Sequence, residues 1–358
     1  MTKKSSTDES KIHILVVGPL PNTAGGIGTM MGHLSESVSY HTHLSFADSG
    51  ATGRHRIARL TALLLKIAKE RHSINVVHVN LSKKGSTWRK LIVTLALRGL
   101  RVPYLLHLHS GNYLEFLGAC GPVAHKLIYG MFQSAERVVV LGERWKQSLS
   151  SLRLVDDHRL KVIPNAVPDL YCGLPRPGSN RIIFVGRLSE AKGVADLILA
   201  CRAIPAEIPW TLHLVGDEPQ SAQSIPHLHD SRVFKTGWLS PAATSQMFNE
   251  SDLFVLPSYA EGLPMSLLEA MSHGLPCIAS HVGAIPEVLL DGRVGRLVAP
   301  GDITALTATI VDLLQSPKLA SDLGASARLE WQKRFSLDMY RIQMDQVYLE
   351  IAEKEPMQ

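Results

Sequence analysis

Arg181-Ile182-Ile183-Phe184-Val185-Gly186-Arg187-Leu188, followed by Lys192-Gly193 and the mostly apolar run Val194 to Arg202, decides how this chain is read. A short, unbroken apolar run closed by glycine is the pattern of a strand buried on both faces. Such strands belong to parallel sheets covered by helices. Val194 to Arg202 then reads as the crossover helix, and Thr211-Leu212-His213-Leu214-Val215-Gly216 repeats the strand with its glycine ending. Leu253-Phe254-Val255-Leu256-Pro257 and Pro276-Cys277-Ile278-Ala279 continue the alternation, which makes this half of the chain a parallel α/β unit.

The same pattern fills the first half. Ile12-His13-Ile14-Leu15-Val16-Val17 leads through Gly18 and a Pro- and Gly-rich loop into a helix expected from Gly28. Val76 to Val79, Tyr104 to Leu108 and Arg137 to Leu141 read as further doubly buried strands. Pro168 to Gly178, rich in Pro and Gly, reads as an interdomain linker. The expected organisation is a domain at 1–168, a second at 169–335, and a C-terminal helical segment within 336–358 that packs back on the first. A chain of 358 residues suits two domains of roughly 150 to 180 residues. Two such domains leave a cleft for ligand between them.

Composition narrows the function. Hydrophobic residues at 45% against 19% charged allow both halves a substantial core. Cys120, Cys172, Cys201 and Cys277 are scattered without metal-ligand spacing, so neither a zinc site nor a disulfide framework is expected. The run Ile12 to Leu20 ends in Gly-Pro at 18–19 and reads as a first strand rather than a signal peptide, and no apolar stretch is long enough to span a bilayer. A cytoplasmic protein is expected. Residues 1–168 hold 22 Lys and Arg against 10 Asp and Glu, whereas residues 169–358 hold 15 against 22. The basic half points to an anionic partner, either nucleic acid or a lipid surface.

The sharpest chemical signal is Glu261-Gly262-Leu263-Pro264-Met265-Ser266-Leu267-Leu268-Glu269, placed after a strand and running into a helix that ends near His273. Pro264 suits a first helical turn and Gly274 the position after the last. The helix N-terminus offers free N–H groups and a positive dipole end to a phosphate. Glu261 falls in the preceding loop and Glu269 in the second turn, so two carboxylates stand at different depths along one element.

With Pro257-Ser258-Tyr259-Ala260 before it, this segment resembles the donor-site signature of the retaining glycosyltransferases of family 4, whose GT-B fold sets two Rossmann-like domains across a cleft. Gly186-Arg187-Leu188 with Lys192-Gly193 resembles that family's diphosphate-binding segment. Pro19-Leu20-Pro21-Asn22-Thr23-Ala24-Gly25-Gly26-Ile27-Gly28 resembles its first glycine-rich loop, and His109, in His107-Leu108-His109-Ser110-Gly111-Asn112, its sugar-side histidine. Val215-Gly216-Asp217-Glu218-Pro219 resembles the turn at the nucleotide base but carries Glu218 where the family has a second glycine. The loop after the first strand is not GxGxxG, which argues against a dinucleotide site.

The resemblance implies transfer of a sugar from a nucleoside diphosphate to a hydroxyl with retention, without a cofactor or an obligatory metal. Glu261, His109, Arg187 and Lys192 are the implied catalytic residues. Gly25, Gly26, Gly186, Gly216, Gly262, Leu263, Pro264 and Glu269 are the implied substrate-binding ones. Arg187 and Lys192 would offset the charge of the leaving diphosphate, Glu261 would hold sugar hydroxyls and Glu269 the ribose. No Asp-x-Asp of the metal-binding kind occurs in the sequence.

The acceptor is expected to be a lipid-linked saccharide or glycan of surface polysaccharide assembly. In the basic half, Ile57 to Lys69 sets Leu60, Leu63, Leu64 and Ile67 against Arg56, Arg59, Lys66 and Lys69. That helix suits either an anionic membrane or the core of its own domain, and Trp88-Arg89-Lys90-Leu91-Ile92 is a second membrane candidate. Two rivals stay open. One is a sugar-nucleotide epimerase or hydrolase of the same fold; the other is a non-catalytic nucleic-acid-binding module. The second leaves the Glu261–Glu269 segment without a role, and no nucleic-acid-binding signature is present, so nucleic acid is not an expected partner.

Overall fold

The computed structural model describes residues 11–21, 23, 25–50, 55–82, 84–111, 113–171, 173, 178–217 and 229–353. The chain divides into two compact units, Met1–Ile163 with Asp338–Gln358, and Pro164–Leu337. This division precedes the 168/169 boundary read from the sequence, because Asn165 and Val167 are tied into the second unit. Asn165 Nδ2 donates to the Leu263 carbonyl at 2.9 Å, and Val167 pairs with Ser336. Of the linker read at 168–178, residues 172 and 174–177 lie outside the described residues.

The first unit runs β1 (Ile12–Gly18), α1 (Gly26–Glu36), β2 (Thr42–Asp48), α2 (Arg56–Glu70), β3 (Val76–Leu81), α3 (Gly85–Gly99), β4 (Tyr104–Leu108), α4 (Tyr113–Gly118), α5 (Pro122–Gln133), β5 (Arg137–Val140), α6 (Glu143–Ser151) and β6 (Leu160–Val162). Its strands are all parallel, in the order β2-β1-β3-β4-β5-β6. Central strands β3 and β4 are buried at every position, which is why they read as mostly apolar runs; edge strand β2 is half-open along most of its length. Helix α1 begins at Gly26, two residues before the expected start, with Gly25 as its N-cap at φ 108°.

The second unit runs β7 (Arg181–Val185), α7 (Val194–Arg202), β8 (Thr211–Val215), β9 (Val233–Gly237), α8 (Pro241–Asn249), β10 (Leu253–Leu256), α9 (Met265–Ser272), β11 (Cys277–Ser280), α10 (Ile285–Val288), β12 (Arg296–Val298), α11 (Ile303–Gln315) and α12 (Pro317–Arg334). Its strands are again parallel, ordered β12-β11-β10-β7-β8-β9. The strand order reverses direction beside β7, between it and β10, and in the first unit between β1 and β3. Ligands of open α/β sheets bind at the carboxyl ends of strands at such switch points.

The last helix, α13 (Leu337–Ala352), belongs with the first unit and crosses its sheet. Asp345 accepts from Ser39 and Thr42 at the start of β2, Tyr348 bonds His78 in β3, and Glu350 pairs with Arg137 and Lys161 of β5 and β6. Of the two readings of residues 57–69, the structure bears on the core one. Leu63 and Ile67 of α2 are buried in the core, and Leu60 and Leu64 pack against it. A sheet face has to be covered, and α2 spends its apolar stripe on that. Among the described residues, no helix is long and apolar enough to cross a membrane.

Candidate active site

The loops that leave β7 and β10 meet at the switch point of the second sheet. After β7 the chain turns at Gly186 (φ 156°) and again at Gly193 (φ 64°). A Cβ at Gly193 would stand 2.1 Å from the Pro257 carbonyl oxygen, so only glycine lets the two loops touch there. The Tyr259 amide donates to the Ala191 carbonyl at 3.0 Å, closing the contact. These approaches bring Lys192 and Glu261, far apart in sequence, into an ion pair of 2.5 Å.

Glu261 is held from several sides. Its Oε1 accepts from Lys192 and from Ser258 Oγ at 2.8 Å, and its side chain is 8% exposed. Oε2 has no hydrogen-bond partner among the described residues and stays available to a ligand hydroxyl. Behind it the backbone is fixed: Ala284 N donates to the Gly262 carbonyl at 2.9 Å, and Asn165 donates to the Leu263 carbonyl. A Cβ at Gly283 (φ 56°) would stand 2.2 Å from the Glu261 carbonyl. Ser258, Gly283 and Asn165 are therefore part of the support; Ser258 stands within the quoted signature, whereas Gly283 and Asn165 carry no motif that sequence reading detects.

Pro264 is the N-cap of α9 rather than a member of its first turn, with φ −72° and ψ 129°. It offers no capping side chain, so the first N–H groups of α9 point outward with the positive end of the dipole. Arg187, exposed just after β7, makes no ion pair among the described residues. Exposed cation, paired Lys192 and uncapped helix end together suit a diphosphate. Glu269 stands in the second turn of α9, and burial raises its carboxyl to about 7. Gly216 (φ 144°) ends β8 against the first loop: a Cβ there would lie 1.9 Å from the Gly186 carbonyl, and Leu188 N donates to the Asp217 carbonyl at 3.0 Å. Glu218 and Pro219, read as part of the base turn, lie outside the described residues.

In the first unit the implied residues gather at the β1–β3 switch point. His109 follows β4, and its Nε2 bonds Asn80 Oδ1 at 2.7 Å. Asn80, buried in β3, lies against Gly18, where a Cβ would come within 2.9 Å of it. Asn80 is thus the positioning partner of His109, and a polar residue near the end of an apolar strand was its only signal. His107, two residues earlier on β4, has its ring tilted against that of His109 with centroids 4.0 Å apart and lies 3.1 Å from His78, whose other nitrogen meets Tyr348 at 2.6 Å. Burial lowers His78 and His109 to about 3 and His107 well below its ordinary value. His109 is accordingly a neutral imidazole. Gly25 has open space where a side chain would be, and Gly26 opens α1, so backbone N–H groups there are unobstructed. Asn22, Ala24 and Asn112 of the quoted motifs lie outside the described residues.

Two parallel α/β units, each with its polar residues at the carboxyl switch point, define the GT-B class. Residues 179–316 match the family model described as glycosyl transferases group 1, and residues 32–166 match the glycosyl transferase 4-like domain. The chain is 32% identical over 174 residues to the N-acetyl-alpha-D-glucosaminyl L-malate synthase of Bacillus anthracis, covering 48% of this chain and 45% of that protein. It is 25% identical over 378 residues to the alpha-maltose-1-phosphate synthase of Mycolicibacterium smegmatis, covering 93% and 97%. The match to the first of these relatives thus spans less than half of its length. In fold, the crystal structure of Anabaena HepE in complex with UDP superposes with a TM-score of 0.75 at 19% identity, over 94% of this chain and 99% of that one. The chain belongs to the group 1 glycosyltransferases of the GT4 type.

Proposed function

We propose that this glycosyltransferase moves a sugar from a nucleoside diphosphate to a hydroxyl with retention of configuration and without a metal. The acceptor in this reading is a lipid-linked or glycan hydroxyl of surface polysaccharide assembly. The observation that carries the reading is the Lys192–Glu261 pair beside Arg187 and the uncapped end of α9. Departure of the diphosphate builds negative charge, and preorganised donors aimed at that charge lower the barrier most. Arg187, Lys192 and the α9 N–H groups are such donors, in the place where other enzymes put a divalent ion. Glu261 holds sugar hydroxyls through its free oxygen, Glu269 bonds the ribose diol, and neutral His109 orients the transferred sugar. HepE, crystallised with UDP, supports a uridine donor for this chain.

Membrane contact belongs to the same proposal but moves from α2 to α3. Trp88, Ile92 and Leu95 lie on one helical face and are 39%, 46% and 48% exposed. Flotation with phosphatidylglycerol vesicles, but not with neutral ones, is the expected result; no flotation with either overturns it.

The catalytic reading is tested with a panel of UDP-, GDP- and ADP-sugars, scored first by thermal stabilisation and then by product analysis in the presence of EDTA. Transfer with a retained anomeric centre, and loss of turnover in Glu261→Ala, Lys192→Ala and His109→Ala, are expected. Wild-type rates in all three variants overturn the assignment, and release or rearrangement of the sugar without an acceptor would mean a hydrolase or epimerase.

A further inference from the structure

Lys90 is the feature of the first unit that the donor chemistry leaves unused. It lies in the second turn of α3, is 1% exposed, and its ammonium makes one hydrogen bond among the described residues, to Ser49 Oγ at 2.5 Å. Ser49 is itself buried, directly after β2. An ammonium carries three protons, and a buried cation with a single neutral partner is costly. Its neighbour Arg89 has a buried Nε with no partner, and Arg56, the first residue of α2, adds to the positive potential on that guanidinium. The carboxylate facing this group is Asp48, already engaged by Arg59 at 2.8 Å and by the Gly50 amide at 2.9 Å. Burial, reinforced by Arg89 and opposed by Asp48, lowers Lys90 to about 7. Three cations around unfilled donors, with one occupied carboxylate, leave room in charge and in hydrogen bonding for a multivalent anion.

The position suits an acceptor. Asp48 is the register partner of Gly18, and Gly18 lies against Asn80, which holds His109. From β2 to β4 the sheet steps across three strand spacings, about 14 Å. That is the scale of one or two sugar rings.

We propose that Lys90, Arg89 and Arg56 form a subsite for a phosphate or diphosphate group, and that the acceptor is a glycosyl phosphate or diphosphate whose anion docks there while its hydroxyl lies toward His109. This inference rests on the glycosyltransferase reading for its choice of ligand, though not for the existence of the subsite. Exposed Trp88, Ile92 and Leu95 on the same helix suit an acceptor whose phosphate continues into a lipid.

The test measures binding of inorganic pyrophosphate by calorimetry to the full chain carrying Arg187→Ala and Lys192→Ala, which removes the donor-side cations. Binding is expected to persist there and to weaken at least tenfold when Lys90→Met or Arg89→Gln is added, with circular dichroism unchanged. Arg89 is only half-buried, so its replacement keeps the test valid if the buried Lys90 variant folds poorly. Unchanged affinity in both variants, or no binding in the parent, overturns the proposal. Competition by glucose 1-phosphate identifies a soluble glycosyl phosphate as occupant, and competition by phosphatidylglycerol vesicles alone identifies a lipid headgroup and overturns the glycosyl-phosphate assignment. Lys90-dependent pyrophosphate binding without sugar transfer from any donor would leave the subsite standing and the glycosyltransferase reading fallen.

Discussion

Gly193 and Gly283 hold Glu261 in place without touching a ligand. Each combines a positive φ with a backbone carbonyl about 2 Å from where a side chain would begin. An alanine at either position meets backbone strain and a clash together, an expected cost of at least about 2 kcal/mol. Gly193→Ala should lower the melting temperature and weaken donor binding through displacement of Lys192, whereas Gly99→Ala, at the end of α3 with open space around it and no positive φ, should cost much less in stability. A melting curve for each variant and a donor titration check this. Glu261→Gln keeps the shape of the loop but removes the ion pair, and turnover is expected to fall about a hundredfold with the fold intact. Glu261, Lys192 and Arg187 were legible in the sequence because loop residues at strand ends carry recognisable spacing. Asn165, Gly283 and Asn80 were not, since their roles exist only through a neighbour distant along the chain.

Among the elements, the strands that escaped sequence reading are β2, β6, β9 and β12, which are the edges of the two sheets. A central strand is buried on both faces and announces itself as an apolar run. An edge strand such as Thr42–Asp48 or Val233–Gly237 keeps polar residues toward water and loses that signal. The amphipathic pattern of α2 was correctly read as a helix, but periodicity does not say what covers its apolar face. The buried chain from Tyr348 through His78 and His107 gives a pH prediction. These histidines, with His109, titrate far below their ordinary value when folded, so below about pH 6.5 the unfolded chain takes up protons that the folded chain refuses. Stability should fall as pH drops from 6.5 toward 3, by about 2 kcal/mol between pH 6.5 and 5 from His78 alone. Glu269 opposes this more weakly, because its raised carboxyl favours the folded state most below 4.5 and loses that contribution as pH rises through about 7. Urea midpoints from pH 7.5 to 4.5 measure the balance, and a flat profile contradicts it.

Across the whole molecule, the contrast between a basic first half and an acidic second half is partly cancelled by the last helix. Asp345 and Glu350 come from the acidic half of the sequence and bond with Ser39, Thr42, Arg137 and Lys161 of the first unit. Removal of residues 338–358 should therefore strip the first unit of a buried helix and leave His78 without its Tyr348 partner. Limited proteolysis is expected to cut within residues 11–163 of the truncated chain while 164–337 stays protected. Equal protection of both units would show that α13 is dispensable.

Because α13 follows the whole second unit in the chain yet covers the sheet begun by β1, the two units mature in the reverse of their order in the sequence. Residues 164–337 have every strand of their sheet available before α13 is made. Until α13 is made, the part of the sheet that it covers stays open, and during that interval the buried side chains beneath it, His78 among them, are the surface a chaperone would meet.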